Sequence, residues 1–223
     1  MRTLLTIATA VIAAAMSCLS MAADQGHHAG AHRSFDEPAT YSRRWDDPAR
    51  DEWQRPAELV AALGVEPGMA VADIGTGTGY LLPHLSRAAG ARGKVYAVDI
   101  SAEMLRWVEA RAEREGLANV EAVGATERAT GLPAGAVDRA IMINVWHHVA
   151  DPEGYARDMY RALRDDGVLF IVEARPGLSE EGGPPEHFRL PPETVIEQLK
   201  AAGFTARVED FPLDRQYVVR GER

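Results

Sequence analysis

The chain alternates between short apolar runs and longer amphipathic stretches. Apolar runs that predict β-strands lie at 69–75, 94–100, 120–125, 136–145 and 167–174. Helical spacing of apolar residues predicts helices from Leu81 to Ala89, from Ala102 to Glu115 and from Pro152 to Leu163. Because strands and helices alternate in this order, the pattern predicts a parallel sheet that is covered by helices on both faces.

The two ends of this pattern differ from its middle. Before the first strand, "AELVAAL" has helical spacing, and a helix is predicted from about Glu52 to Leu63, ended by Gly64. At the other end, a helical pattern over 192–204 is followed by strand-like runs at 205–212 and 216–222. The connection between these two runs is so short that the strands must pair antiparallel.

The first residues follow another pattern. A basic second residue is followed by an uncharged stretch that lasts until Asp24 and contains the small pair Ser20 and Ala22. This predicts a signal peptide over residues 1–22, cleaved after Ala22, and a periplasmic or secreted mature chain. An uncleaved membrane anchor, a buried helix and lipidation of Cys18 are the alternatives. We expect contact with a membrane only if the segment is retained or lipidated.

Residues 23–44 are polar and rich in turn-forming residues, which predicts a flexible leader before a domain that spans residues 45–223. His27, His28 and His32 lie in this leader. They could hold a metal loosely, but no carboxylate or cysteine frames a fixed geometry. A solvated linker is therefore favoured, and no metal site is predicted.

Composition and charge narrow the class of protein. The chain has 223 residues, 46% of them hydrophobic, and a formal net charge of -9. An acidic chain without a dense basic block lacks the cationic surface that nucleic acid binding requires, so no nucleic acid partner is predicted. The charges of the predicted helix over 102–115, Arg111 among them, are expected to form a solvated face.

The stretch "VADIGTGTGY" places Gly75, Gly77 and Gly79 directly after a predicted strand. Glycines at the carboxyl end of a parallel strand let backbone amides approach a ligand. A dinucleotide fingerprint is spaced G-x-G-x-x-G, whereas this motif is spaced G-x-G-x-G and follows Asp73. A carboxylate repels phosphate but can hold an ammonium group, so the motif favours a ligand with an amino-acid portion.

Asp99 stands at the end of the second predicted strand. A carboxylate at this place can accept hydrogen bonds from both hydroxyls of a ribose. Each signal is weak alone. In this order, and each at a strand end, the glycine motif and Asp99 reinforce one another.

Together with "VYAVDI", "VDRAIMINVWHHV" and "LRDDGVLFIVEA", the glycine motif resembles the class I S-adenosylmethionine-dependent methyltransferases, from about Trp45 to the C-terminus. The resemblance implies a Rossmann-like α/β fold with helices on both faces of a seven-stranded sheet. The implied strand order is 3-2-1-4-5-7-6, mostly parallel, with the last strand antiparallel. S-adenosyl-L-methionine is the implied cofactor, and a small molecule is the methyl acceptor. "WDDPARDEWQRP" and "GGPPEHFRL" further resemble an exported bacterial subgroup without a settled substrate.

The resemblance also implies roles for individual residues. Gly75 and Gly77 line the methionine portion of the cofactor, Asp99 binds the ribose, and Ile100 packs on adenine. In this family an acidic residue after the third strand often accepts a hydrogen bond from the adenine amino group. Here Ala125 stands at that position, so the resemblance leaves Thr126, Glu127 or a backbone group to accept this hydrogen bond. The full set of implied cofactor-binding residues is Asp73, Gly75, Thr76, Gly77, Gly79, Tyr80, Asp99, Ile100, Ala125, Thr126 and Asn144.

His147 and His148 follow the fourth predicted strand, at the rim where an acceptor would lie. A histidine that titrates near neutral pH suits the deprotonation of a phenol, so His147 is the predicted catalytic base. Packing beneath the next helix is the alternative for His147, and a structural role is favoured for His148. His187 lies on a loop that is suited to substrate contacts, whereas Glu186 is predicted to form a salt bridge at the rim.

Two classes of function stay open at this point. The first is a methyltransferase that acts on an unidentified small molecule. The second is a non-catalytic module that binds S-adenosylmethionine or a related nucleoside on the same fold. A dehydrogenase is disfavoured by the glycine spacing, and no oligomeric state is predicted.

Overall fold

A computed structural model describes residues 37–178 and 183–223. Its strands are β1 (Ala70–Ile74), β2 (Lys94–Asp99), β3 (Val120–Gly124), β4 (Val137–Ile143), β5 (Leu163–Ala174), β6 (Thr205–Val208) and β7 (Gln216–Glu222). They form a seven-stranded sheet in the order β3-β2-β1-β4-β5-β7-β6. The predicted Rossmann-like order is therefore confirmed. The strand β7 pairs antiparallel with both β5 and β6, and β1 to β5 pair in parallel.

Helices cover both faces of this sheet. They are α1 (Pro38–Trp45), α2 (Arg50–Gln54), α3 (Pro56–Ala62), α4 (Leu82–Ala89), α5 (Ala102–Glu115), α6 (Pro152–Ala162) and α7 (Pro192–Ala201). Residues of α6 and α7 pack in one apolar cluster with one face of the sheet, and residues of α3, α4 and α5 pack in a second cluster with the other. Burial on both faces explains why β1 has no exposed residue.

The segment before β1 differs from the prediction. The predicted helix from Glu52 to Leu63 is split into α2 and α3 at Arg55, whose φ is 50°. Pro56 causes the split, because its ring disfavours the helical conformation of the residue before it and then suits the first position of a new helix.

The predicted flexible leader over 23–44 also differs from the structure, because its last residues belong to the helix Pro38–Trp45. The predicted signal peptide over 1–22 and the three leader histidines lie outside the described residues. Within the part of the chain that the structure describes, no helix is long and apolar enough to span a membrane.

The carboxyl ends of β1, β2 and β4 meet at one edge of the sheet. The chain leaves β1 through Gly75 and β4 through Asn144, both with positive φ, and β2 ends at Asp99. Because strand order reverses beside β1, a crevice opens between the loops at this edge. The residues predicted to bind a ligand all lie at or near this edge.

Candidate functional site

The glycine-rich loop is shaped by contacts that leave no room for side chains. Gly75 has a φ of 70°, and a Cβ atom there would lie 2.4 Å from the side chain of Val145. Gly77 has a φ of 53°, and its N–H donates to Asp99 Oδ2 at 2.9 Å. The side chain of Trp45 covers it, 3.1 Å from the place of a Cβ atom. These two glycines keep the backbone of the loop close to the crevice.

Gly79 serves a different purpose. Its φ is 82°, and a Cβ atom would lie 2.7 Å from Leu82 Cδ1 and 3.3 Å from Val108 Cγ2. This glycine therefore lets α4 and α5 approach the end of β1. The third glycine of a dinucleotide fingerprint has the same task, although the spacing of the motif here is different.

Asp73 lies beneath this loop as a buried carboxyl group. It is 4% exposed, and Thr76 Oγ1 donates to its Oδ2 at 2.8 Å. Burial raises the pKa of Asp73 to about 6, the Thr76 hydrogen bond lowers it, and the nearby Asp99 raises it further. The positive charge of Arg50 lowers the pKa of Asp73. A bound ammonium group would stabilise the charged form of this carboxyl group.

Asp99 joins the end of β2 to the glycine-rich loop. Its Oδ1 accepts a hydrogen bond from the N–H of Ser101 at 2.9 Å, and its Oδ2 accepts the one from Gly77. Burial raises the pKa of Asp99, and these backbone hydrogen bonds lower it. Since each carboxylate oxygen can accept a second hydrogen bond, the group keeps capacity for the hydroxyls of a ribose.

A cavity of about 420 Å³ lies beside Asp99. It is lined by Ile100, Ala125, Thr126, Glu127 and Arg128. The Ile100 side chain is an exposed apolar surface, 59% accessible, and such a surface suits a flat aromatic base. The residues that were predicted to contact adenine therefore line one cavity, and this cavity lies next to Asp99, which was predicted to bind the ribose. The polar and apolar groups of this region fit a nucleoside.

The segment that carries α1 and α2 lies over the glycine-rich loop. Asp46 Oδ1 accepts hydrogen bonds from Thr78 Oγ1 at 2.9 Å and from Arg111 Nη1 at 3.1 Å. Arg111 Nη1 also donates to the carbonyl of Thr78 at 3.0 Å. The prediction that Arg111 belongs to a solvated face is wrong, because its side chain is only 13% exposed and ties α5 to this segment.

Tyr80 follows the loop and points toward the same segment. Its hydroxyl donates to Asp51 Oδ1 at 2.6 Å, and the guanidinium of Arg50 stacks 3.8 Å from its ring centroid. Burial and the Asp51 hydrogen bond raise the pKa of Tyr80. Tyr80 is therefore a neutral phenol that connects α2 to the glycine-rich loop.

Asn144 occupies the turn after β4 with a φ of 56°. Its N–H donates to the carbonyl of Val172 at 2.8 Å, and its Oδ1 accepts from Gln216 Nε2 at 3.0 Å. Asparagine tolerates this left-handed conformation better than most residues. The turn places the next residue, Val145, directly against Gly75.

His147 is held by a buried carboxylate. Its Nδ1 lies 2.7 Å from Glu173 Oε2, and the two side chains are 3% and 1% exposed. The His147 N–H also faces Glu173 Oε1, at 3.4 Å. The rings of His148 and Phe188 lie 4.1 Å and 6.0 Å from the His147 ring. His147 therefore belongs to a buried carboxylate–imidazole pair in which the carboxylate fixes the orientation of the ring.

The loop after β5 supplies Glu186 and His187. Glu186 accepts from the N–H of Gly177 at 2.8 Å and lies 3.6 Å from Arg189, so it forms the expected salt bridge at the rim. His187 is exposed and contacts the ring of Phe188 at 4.3 Å.

Several residues of the site were missed from the sequence. Glu173 has a visible signal, because it is a carboxylate within the apolar run "GVLFIVEA". Arg50, Gln54 and Gln216 have none, since their partners lie on other elements. No cluster of three metal-ligating side chains occurs in residues 37–178 and 183–223.

Comparisons with known proteins agree with this geometry. A family model described as "Methyltransferase domain" matches residues 72–171. A SAM-dependent methyltransferase from Aquifex aeolicus is 30% identical, with a TM-score of 0.77 over 83% of this chain and 97% of that one. The [4+2]-cyclase SpnF is 24% identical, with a TM-score of 0.56 over 69% of this chain and 58% of that one, and this likeness shows the fold alone.

Curated relatives are similar over part of the chain. The ubiquinone/menaquinone biosynthesis C-methyltransferase UbiE of Escherichia coli is 34% identical over 122 residues, which are 54% of this chain and 48% of that protein. The chain thus spans about half the length of the curated relatives it matches. The family match, the Aquifex aeolicus likeness and the seven-stranded sheet agree. The chain belongs to the class I S-adenosylmethionine-dependent methyltransferases, enzymes whose cofactor is S-adenosyl-L-methionine.

Proposed function

We propose that this protein transfers a methyl group from S-adenosylmethionine to a small molecule that loses a proton in the reaction, with His147 as the base. The observation that carries the proposal is the buried pair of His147 Nδ1 and Glu173 Oε2, 2.7 Å apart. A carboxylate that accepts from one ring nitrogen of a histidine leaves the other nitrogen free to accept a proton. His147 follows β4, the strand next to the one that leads into Gly75, and Glu173 lies on the neighbouring strand β5.

S-adenosylmethionine supplies an electrophilic methyl group when it is bound, and no metal ion is needed for this chemistry. The residues of the glycine-rich loop would hold the amino-acid portion, Asp99 would hold the ribose, and the cavity beside Ile100 would hold the adenine. This arrangement contributes mainly by proximity and orientation. In this reaction His147 Nε2 would take the proton that the acceptor loses on methylation.

Burial of His147 has a consequence for this mechanism. The side chain of His147 is only 3% exposed, so an acceptor can reach Nε2 only when neighbouring groups move, and the rings of His148 and Phe188 are among these neighbours. Catalytic hydrogen bonds often form only once the substrate is bound, so the covered geometry is compatible with a base. The C-methyl transfer named for UbiE also releases a proton from the acceptor, which supports a base-assisted reaction here.

The test is the rate of methyl transfer against pH for His147→Ala, measured with a panel of phenols, thiols and amines. We expect a loss of about 10²- to 10⁴-fold, the usual contribution of a general base. Affinity for S-adenosylhomocysteine should stay unchanged, because the imidazole lies outside the nucleoside cavity. His148→Ala is the matched control and should retain the wild-type pH profile.

Two results would contradict the proposal. If His147→Ala keeps the wild-type rate and pH profile, His147 is a packing residue and the acceptor needs no base from it. If wild-type protein binds S-adenosylhomocysteine but methylates no member of the panel, a non-catalytic binding module on the same fold becomes the better description.

A further inference from the structure

The turn that begins at Thr126 forms one wall of the cavity beside Ile100, and its polar groups bond to one another. The N–H of Thr126 donates to the carbonyl of Ala129 at 2.8 Å. Thr126 Oγ1 accepts from the N–H groups of Arg128 at 3.3 Å and Ala129 at 3.1 Å, and it donates to the carbonyl of Ala129 at 3.5 Å. A hydroxyl group has one donor and two acceptor sites, so all three are used within the turn.

The backbone on the other side of the cavity is committed in the same way. The N–H of Ala125 donates to the carbonyl of Asp99 at 2.8 Å, and the N–H of Ile100 donates to the Asp99 carboxylate. The side chains of Ala125 and Ile100 are apolar. Of the five residues that line the cavity, only Glu127 has an N–H outside these hydrogen bonds, and Glu127 and Arg128 are both exposed.

This arrangement bears on how the site distinguishes purine bases. Adenine has an amino group at C6 and an acceptor at N1, whereas hypoxanthine has an oxygen at C6 and an N–H at N1. Adenine is selected by an acceptor that the fold fixes beside C6, or by a fixed N–H donor beside N1. Ala125 supplies no side-chain acceptor, and the N–H groups of Ala125 and Thr126 are already used. The exposed carboxylate of Glu127 can accept a hydrogen bond from either base.

The other features of the site are common to adenosyl and inosyl ligands. Ile100 offers an apolar surface to the face of the base, and Asp99 has capacity for the ribose hydroxyls, which are the same in both nucleosides. The amino-acid portion is also the same. A base edge that the protein does not contact faces water, which can donate to either base or accept from it.

We infer that the cofactor site of this chain does not read the C6–N1 edge of the purine, so that it binds S-inosylhomocysteine as well as S-adenosylhomocysteine. The class of ligand is thus an S-nucleosylhomocysteine whose base is a purine, with adenine as one member. The inference rests on the placement of the base in the cavity beside Ile100, and it does not depend on a base at His147.

Titration calorimetry of the full chain with the two ligands is the first test, and it needs no turnover. We expect the two dissociation constants to agree within about threefold, a smaller ratio than one typical hydrogen bond gives. A larger preference for S-adenosylhomocysteine would overturn the inference, and so would failure to bind either ligand.

The second test adds the missing acceptor. Ala125→Asp places a carboxylate at the wall of the cavity, where it can accept from the amino group of adenine but faces the oxygen of hypoxanthine. We expect this variant to prefer S-adenosylhomocysteine by about 10- to 100-fold, the worth of one hydrogen bond to a charged group. Ala118→Asp, at an exposed position before β3, is the matched control and should keep the wild-type ratio. If Ala125→Asp shows no preference, the base does not lie against residue 125, which contradicts the inference.

Two further variants identify the groups that contact the base. Glu127→Pro removes the carboxylate and the N–H of residue 127 together, at the second position of the turn, where proline is favoured. Its ratio of affinities should equal that of the wild type, and a changed ratio would show that Glu127 reads the edge. Ile100→Ser should weaken both ligands by the same factor, because it removes apolar surface that both use. Unequal weakening, or none, would contradict the inference.

Methyl transfer separates this inference from the proposed function. A wild-type protein that binds both ligands alike but methylates no acceptor supports the inference and counts against the proposed function alone. A protein that methylates an acceptor but binds S-inosylhomocysteine much more weakly than S-adenosylhomocysteine supports the proposed function and overturns the inference.

Discussion

At the scale of single residues, Asp99 has two roles, one toward the glycine-rich loop and one predicted toward the ligand, and two different substitutions can distinguish them. Its carboxylate accepts hydrogen bonds from the N–H groups of Gly77 and Ser101, and it is predicted to accept the ribose hydroxyls as well. Removing the side chain thus affects both the ligand and the loop. Asparagine keeps one acceptor oxygen and the shape of the side chain.

We predict that Asp99→Ala weakens S-adenosylhomocysteine binding by about 1.5 to 3 kcal/mol, the worth of hydrogen bonds to a charged group. Asp99→Asn should lose less, because one oxygen remains. Titration calorimetry measures both. Asp165→Ala, at a side chain that is 96% exposed, is the control and should bind as the wild type does. Wild-type affinity in Asp99→Ala would remove Asp99 from the ribose site.

A second prediction concerns Asp73, whose pKa burial raises to about 6. A ligand that carries an ammonium group binds the charged carboxylate, so affinity for S-adenosylhomocysteine should be constant above about pH 7. Below about pH 6 it should fall by up to about tenfold for each pH unit, because binding then requires release of a proton. Calorimetry across pH 5 to 8 checks this. Asp73→Asn should bind more weakly at pH 7.5 and lack this slope.

The free energy of unfolding gives a control for the same residue. A carboxyl group with a raised pKa in the folded state favours folding below its unfolded pKa of 3.8, and this advantage is lost as the pH rises through 6. Asp73→Asn should therefore be more stable than the wild type at pH 7.5, by about 3 kcal/mol for a shift of this size. The difference should shrink toward pH 4. A constant difference would mean that Asp73 does not titrate in this range.

At the scale of elements, the segment with α1 and α2 is held on the glycine-rich loop mainly by polar contacts. Asp46, Thr78 and Arg111 form one group of contacts, and Tyr80 with Asp51 forms another. None of the residues of α1 is fully buried. An element with little apolar burial opens more readily than the core of a domain.

We predict that Arg111→Met loosens this segment while the sheet remains intact. The substitution keeps the aliphatic stem and removes the donors to Asp46 and to the carbonyl of Thr78, at a cost of about 1 to 3 kcal/mol for the local contact. Hydrogen exchange should become faster over 38–54 and stay unchanged over β4 and β5. Arg114→Met on the same helix, at a side chain that is 61% exposed, is the control. Faster exchange throughout the sheet would contradict a local effect.

At the scale of the whole molecule, the sheet separates two apolar clusters. Leu199 of α7 lies in one of them and Leu85 of α4 in the other, and both are 0% exposed. Each substitution to alanine removes buried methyl groups and leaves a cavity. The sheet between the clusters keeps the two cavities apart.

We predict that Leu85→Ala and Leu199→Ala each lower the free energy of unfolding by about 2 to 5 kcal/mol. Because they share no contacts, the double variant should show the sum of the two effects within about 0.5 kcal/mol. Urea unfolding measures all three variants. Val208→Ala, at a residue that is 47% exposed, should change little. A large departure from additivity would show that the two faces of the sheet are coupled.

The export of the molecule is a prediction from residues 1–22, which lie outside the described residues. We propose that the signal peptide is cleaved and that the mature chain begins at Ala23 in the periplasm. N-terminal sequencing of the protein from fractionated cells measures this. Intact Met1 in a membrane fraction would support an uncleaved anchor instead.

Much of the fold followed from local patterns. The helix over Ala102–Glu115 agrees with its prediction at both ends, because Ser101 caps its first turn and Gly116 ends it with a φ of 68°. The strand β7 likewise spans 216–222 as predicted. Signals of this kind lie within a few residues of the element they define, so the sequence carries them directly.

The long-range contacts between side chains of the site were decided by tertiary structure. The sequence by itself determined the class of fold, the glycine-rich loop after β1 and Asp99 at the end of β2, since each depends on neighbouring residues. The pairing of His147 with Glu173 joins residues 26 apart, and that of Gln54 with Gln216 joins residues 162 apart. Such contacts leave no periodic pattern in the chain, because they form only where segments that are distant in sequence meet at one edge of the folded sheet.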